Sequence, residues 1–344
     1  MTGDWDTTGP VMVAPGVHRL PLPLRGDGLR AINVYAIEDG DRIVMIDAGS
    51  SGSGSLEALK RGLAHLGASL ADISTLLVTH GHYDHYGLTS QLRAASEAIV
   101  ALGERERELI NAVTEPNRYR QSIEHRRQWL TRHGAGAVAA AGYRVERQHR
   151  LTAGESPWRP PDRWLSDGDE VRLRERTLRV QSTPGHTRGH IVYHDEAHGL
   201  LFAGDHVLPH ITPSLGFEPF PDGGALEQFL ESLAAVRNAS ADLVLPGHGP
   251  AFDNLRGRVD ELVEHHRDRL GSCVAALADG GARSASAVAD RLTWTRRSRT
   301  FSELDTFNRM LAVSETVAHL ELLVHEGQLK RELHCQQHTY ALAA

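Results

Sequence analysis

Lysine is nearly missing from this 344-residue chain: Lys60 and Lys330 are the only two among 37 basic residues. With a net charge of −7, the chain as a whole lacks the basic footprint of a nucleic-acid-binding protein. Cysteine is as scarce. Cys273 and Cys335 have neither the spacing of a zinc knuckle nor the number for a disulfide framework. Unpaired thiols fit a reducing compartment. No apolar run approaches the length of a membrane span, and Met1–Asp6 has no basic n-region followed by an apolar stretch. These absences together lead us to expect a soluble cytoplasmic protein with no membrane partner. Internal repeats and low-complexity tracts are missing too.

Histidine, by contrast, is abundant, with 21 residues, and it is concentrated. Thr79-His80-Gly81-His82-Tyr83-Asp84-His85 follows the apolar run Thr75–Val78. Imidazole and carboxylate are ligands that Zn²⁺ and similar divalent ions accept. Alternate side chains on an extended segment share a face, so His80 and His82 reach for one ion. A turn after them aims Asp84 and His85 at a second. Three more apolar or alternating runs stop at a ligand beside glycine: Thr177–Ser182 before Gly185-His186, Leu200–Ala203 before Gly204-Asp205, and Asp242–Leu245 before Gly247-His248. Strands that deliver side chains to loops at one sheet edge build a rigid site.

In order and type, His80, His82, Asp84, His85, His186, Asp205 and His248 resemble the motifs of the metallo-β-lactamase superfamily, in its glyoxalase II-like, seven-ligand form. Asp47-Ala48-Gly49, after the strand pattern Arg42–Ile46, is similar to that family's first motif. The resemblance runs from about Val17 to Asp253. It implies that His80, His82 and His186 hold one metal, that Asp84, His85 and His248 hold another, and that Asp205 bridges them. It also implies that Asp47 orients ligands by hydrogen bonding. Two divalent ions are implied, Zn²⁺ first, with Mn²⁺ or Fe²⁺ as alternatives. Such a pair lowers the pKa of water to about 7, so the expected chemistry is hydrolysis by a metal-activated hydroxide, with Asp84 guiding the nucleophile or its proton. His190 and His206 are expected to support the ligands rather than join them. His265 and His266, within a helical pattern far from any motif, are expected at the surface.

Helix and strand patterns alternate through the first 254 residues, and each sheet face needs cover. The fold class expected is α/β: a four-layer αββα sandwich over 1–254, with a small C-terminal helical, winged-helix-like domain over 255–344. Leu56, Leu59, Leu63 and Leu66 recur at helical spacing. Residues 103–164 are polar, Arg-rich and helical in pattern, and read as an inserted lid or a solvated excursion laced with Glu–Arg pairs. The loop from His206 to Pro221 begins beside Asp205 and is expected to wall the pocket, with Phe217 and Phe220 anchoring it or contacting an apolar substrate group, the anchor being favoured. Glu315–Leu320 and Glu326-Gly327 resemble the C-terminal module of the β-lactamase-like protein 2 group. Basic and acidic residues balance there, so packing, dimerisation or pocket closure is expected over nucleic-acid binding.

The leading expectation is a binuclear hydrolase of a small-molecule thioester or ester. A single-strand RNA or phosphodiester hydrolase is the alternative. Its weakness is the short interval from Asp205 to His248, which leaves no room for the extra domain of many nucleases in this superfamily. A lactonase is a third reading. An iron-dependent persulfide dioxygenase would need one metal site, against the full second set Asp84, His85 and His248.

Overall fold

Unbroken apolar runs along the central strands dictate a sheet buried on both faces. In the segment 43–46, Val44 and Ile46 point to one side, and Ile43 and Met45 to the other. The structure, a computed structural model, describes residues 5–6, 9–24, 29–52, 54–142, 158–295 and 298–343. Part of the expected insertion, 143–157, lies outside the described residues.

The first sheet has seven strands in sequential order: β1 (Val11–Ala14), β2 (Val17–Pro23), β3 (Ala31–Asp39), β4 (Arg42–Ile46), β5 (Ile73–Leu77), β6 (Ile99–Gly103) and β7 (Arg163–Leu165). It is antiparallel up to β4 and parallel from β4 to β7. The second sheet comprises β8 (Glu170–Arg172), β9 (Thr177–Ser182), β10 (Ile191–Asp195), β11 (Leu200–Gly204) and β12 (Leu243–Pro246), antiparallel except for the β11–β12 pair.

The sheets close over one apolar layer. Tyr35, Ile37, Val44, Ile46 and Leu77 meet Leu178, Val180, Tyr193, Phe202 and Leu245. On the far side of the first sheet lie α1 (Ser55–His65) and α3 (Thr89–Ser96), with the one-turn α2 (Tyr83–Tyr86) between them in sequence. Leu59, Leu63 and Leu92 cover Met45, Leu76 and Val100 there.

The insertion is helical where described: α4 (Arg107–Thr114), α5 (Pro116–Arg132) and α6 (136–142). The outer face of the second sheet is covered by α7 (Ala225–Val236) and by the start of α8 (Leu255–Ala275), through Phe229, Leu233, Val259 and Leu262. The Asn254 side chain caps α8 by accepting the Gly257 N–H. The four layers αββα are therefore present as expected. Then come α9 (Ala285–Ala289), α10 (Thr306–His325) and the antiparallel hairpin of β13 (Leu329–His334) and β14 (Gln337–Leu342).

The insertion and the C-terminal helices share a core. Leu130, Ala135 and Ala139 pack with Leu277, Val288, Val313, Val317 and Tyr340. No described helix is long and apolar enough to cross a membrane.

One expectation is corrected. His266 is 1 % exposed, not a surface residue. It falls on the same stripe of α8 as Val259, Leu262 and Cys273, which are all buried, and its Nδ1 lies 3.1 Å from Nε2 of His319 on α10.

Candidate metal centre

Strand direction explains where the ligands gather. β4 and β5 run parallel, β11 and β12 run parallel, and β9 is related to β11 through two antiparallel steps. The carboxyl ends of β9, β11 and β12 therefore share one edge of their sheet, and those of β4 and β5 share one edge of theirs. Asp47, the His80–His85 segment, His186, Asp205 and His248 all follow these ends.

The seven expected ligands come together. Three groups of convergent donor atoms form: His80, His82 and His186; His80, His85 and Asp205; and Asp84, His85 and His248. Nδ1 of His82 is 3.0 Å from Nε2 of His186. Asp205 Oδ2 lies 3.6 Å from His186 Nε2 and 3.5 Å from His248 Nε2, so this carboxylate stands between the two sets. Asp84 Oδ2 is 3.3 Å from His248 Nε2.

The donor set fits divalent cations. Nε2 of His80, His85 and His248 and Oδ1 of Asp205 are buried and make no hydrogen bond. Orphaned buried polar atoms are costly unless something else satisfies them. Charge points the same way. Burial and the neighbouring imidazoles push His80 well below its ordinary value, and burial with His186 takes His82 down to about 3. Burial also opposes charge on His85, yet Asp47, Asp205 and Asp84 outweigh it and raise His85. Neutral imidazoles on one side and a carboxylate-rich pocket on the other suit metal ions better than protons.

The supporting contacts are specific. Asp47 Oδ2 is 2.8 Å from His85 Nδ1, and its Oδ1 accepts the Thr79 N–H at 2.8 Å. Asp47 is held at φ 62°, a conformation uncommon outside glycine. His190 Nε2 accepts the Asp205 N–H at 3.1 Å, and its Nδ1 meets Thr183 Oγ1 at 2.8 Å. His206 does not hydrogen-bond a ligand. Its buried ring packs 5.3 Å from Phe229 and 6.1 Å from His190, neither of them an expected ligand.

Residues without a motif signal also contribute. Asn33 donates to the carbonyls of Pro246 (3.0 Å) and Gly249 (2.7 Å), and the Tyr35 hydroxyl donates to Pro246 (2.8 Å). They pin the His248 loop from the opposite sheet. Gly247 is required by space, since a Cβ there would lie 2.5 Å from Asp205 Oδ1.

The insertion meets the loop after Asp205. Arg118 stands 4.8 Å over the Phe220 ring and Arg126 5.3 Å over Phe217. Phe217 also contacts Phe307 of α10 at 5.1 Å, so both phenylalanines anchor the loop. Arg118 pairs with Glu108, and Arg188 with Glu108 and Asp222. These guanidinium groups are committed within the protein.

The metallo-beta-lactamase superfamily model matches residues 27–248. Over 318 residues the chain is 26 % identical to "Probable metallo-hydrolase YqjP" of Bacillus subtilis (strain 168), covering 90 % of this chain and 91 % of that one. It is 25 % identical to the "Atrochrysone carboxyl ACP thioesterase" of Aspergillus fumigatus, over 72 % of this chain and 60 % of that protein. A crystal structure of a metallo-beta-lactamase family protein from Thermus thermophilus superposes with a TM-score of 0.80 at 28 % identity, covering 96 % of this chain and 100 % of the other.

Proposed function

The chain belongs to the metallo-beta-lactamase superfamily, and from that premise we propose that it is a binuclear metallohydrolase cleaving a thioester or ester of a small molecule. The observation that carries this reading is the convergence of seven side chains, among which Nε2 of His80, His85 and His248 and Oδ1 of Asp205 are buried without a hydrogen-bond partner. His80, His82 and His186 would hold one ion, Asp84, His85 and His248 the other, with Asp205 between. Zn²⁺ suits the nitrogen-rich set. When bound, the pair supplies Lewis acidity and brings the pKa of water to about 7.

The chain's own residues orient the reaction. Although burial opposes it, His85 and His248 hold the Asp84 carboxyl down at about 2. Asp84 is thus an anionic acceptor at neutral pH, suited to aligning an attacking water by hydrogen bonding. Asp47, Thr79 and His190 fix the ligands and need no movement during turnover. The loop anchored by Phe217 and Phe220 would contact the acyl or leaving group. The thioesterase relative favours a thioester, and the internally paired Arg118 and Arg188 leave little for a polyanionic substrate. We place the protein in the cytoplasm.

The test is a side-by-side assay of acyl thioesters, lactones and short single-stranded RNA. It is run on wild type, His82→Ala and Asp205→Asn, with metal content and circular dichroism measured. We expect thioester turnover with about two divalent ions per chain, and loss of turnover in both folded variants. Near-normal activity in either variant would falsify the ligand assignment, and RNA cleavage without thioester cleavage would overturn the substrate class.

A further inference from the structure

Glu106 belongs to the run Glu104-Arg105-Glu106-Arg107-Glu108, which reads in sequence as a solvated helical face. It is instead 1 % exposed. It lies in the single 3₁₀ turn that follows β6, and its carboxyl reaches two ligand-bearing loops at once. Oε1 accepts the Thr187 hydroxyl, one residue past His186. Oε2 is buried without a hydrogen-bond partner and lies against Gly81. Gly81 separates His80 from His82, and Gly189 precedes His190.

Both glycines pack closely against the Glu106 turn. Neither adopts a positive φ, so backbone conformation does not demand glycine at either place. Space does. A Cβ on Gly81 would sit 2.8 Å from both Glu106 Oε2 and Leu109 Cδ2, and one on Gly189 would collide with the Glu106 backbone nitrogen. Glycine without left-handed geometry marks a close approach.

The same loop is held from its other side. Glu218 Oε1 accepts the Arg188 N–H at 2.6 Å. The Arg188 guanidinium reaches Glu108 (2.8 Å), Asp222 (2.8 Å) and the Phe220 carbonyl (2.5 Å). Burial pushes the Glu106 carboxyl up to about 7, against the Thr187 hydroxyl. Burial, with Glu106 nearby, takes Glu218 to about 8.

We propose that Glu106 is a positioning residue: it ties the His80–His82 segment to the His186–His190 segment and so sets the spacing of the three imidazoles at the first metal site. This rests on the metal-centre reading above.

Zinc affinity, measured by competition with a chromophoric chelator, tests it in wild type, Glu106→Ala, Glu106→Gln, Thr187→Val and the Glu106→Ala/Thr187→Val double variant. Thermal melts of the metal-free forms accompany each titration. Loss of a group that orients metal ligands costs about 10- to 100-fold in affinity, and Glu106→Ala should fall in that range. Glu106→Gln keeps one acceptor for Thr187, so its loss should be smaller. The double variant should be no worse than Glu106→Ala alone, because both remove one link. Wild-type affinity in Glu106→Ala, or strictly additive losses, would overturn the inference. Should Glu106→Ala fail to fold, unchanged affinity in both Glu106→Gln and Thr187→Val overturns it equally. A wild type that binds no zinc overturns the metal reading itself, and this inference with it.

Discussion

His85 presents Nδ1 to Asp47 Oδ2 at 2.8 Å. A carboxylate oxygen only accepts, so Nδ1 carries the hydrogen and Nε2 is turned inward. The same logic fixes other imidazoles. Carbonyls of Ser214 and Ala31 lie 2.8 Å from Nδ1 of His186 and of His248. The Thr79 hydroxyl donates to Asp47 and must therefore accept from His80 Nδ1, 3.1 Å away. Four rings are thus held in one tautomer with Nε2 facing the centre.

Removing Asp47 should loosen that arrangement most at His85. We expect Asp47→Ala to lose about 10- to 100-fold in metal affinity, with the ion near Asp84, His85 and His248 leaving first. Isothermal titration of the metal-free protein measures this. Two undiminished binding steps would exclude an orienting role for Asp47.

The buried pair His266–His319 predicts a pH dependence of stability. His319 Nδ1 donates to the Glu315 carbonyl at 2.7 Å, so its Nε2 accepts from His266 Nδ1. Burial and then mutual repulsion take His266 down to about 2, and burial takes His319 to about 4. Unfolded histidine titrates at about 6.5, so below that value the unfolded chain binds more protons. Stability contributed by the pair is therefore complete above the unfolded value and is lost as pH falls toward 4, by about 1.4 kcal/mol per pH unit per proton. Urea denaturation at pH 7 and 4.5 should show a smaller loss for His266→Leu/His319→Leu than for wild type. Equal losses would dismiss the pair as the source.

Tyr340 joins the hairpin to the insertion and to α10. Its hydroxyl donates to Glu321 at 2.6 Å and lies 3.2 Å from His133 Nδ1. Tyr340→Phe leaves these groups without that partner, at a cost of about 1–3 kcal/mol. A lower urea midpoint with unchanged metal content is the expected result. A midpoint equal to wild type would show that the bond adds nothing.

The convergence of the seven expected ligands could be read from sequence because each lies at or shortly beyond the end of a strand with a clear apolar pattern, and because metal chemistry restricts the residue types. Asn33 and Tyr35 could not. They act through backbone carbonyls of a loop more than two hundred residues away, and nothing local marks that pairing. Glu106 was hidden by its neighbours, since Glu104, Arg105 and Arg107 make the whole run look solvated. His266 did carry a signal: it continues the Val259–Leu262 stripe of α8, so its periodicity outweighs its polarity. The sandwich was legible from alternation. The joint core of Leu130 and Ala139 with Val313 and Val317 was not, because an apolar stripe states that it needs cover without naming what supplies it.

That joint core has a consequence for how the chain is made. The last expected ligand, His248, leaves the ribosome well before Tyr340, whereas α5 is synthesised long before either. Contacts so far apart in sequence are slow to close. All seven expected ligands are synthesised before Val313, Val317 and Tyr340, the residues that complete the core around Leu130 and Ala139. Whatever the centre does, the buried partners of Leu130 and Ala139 outside the insertion are all synthesised after the seven expected ligands.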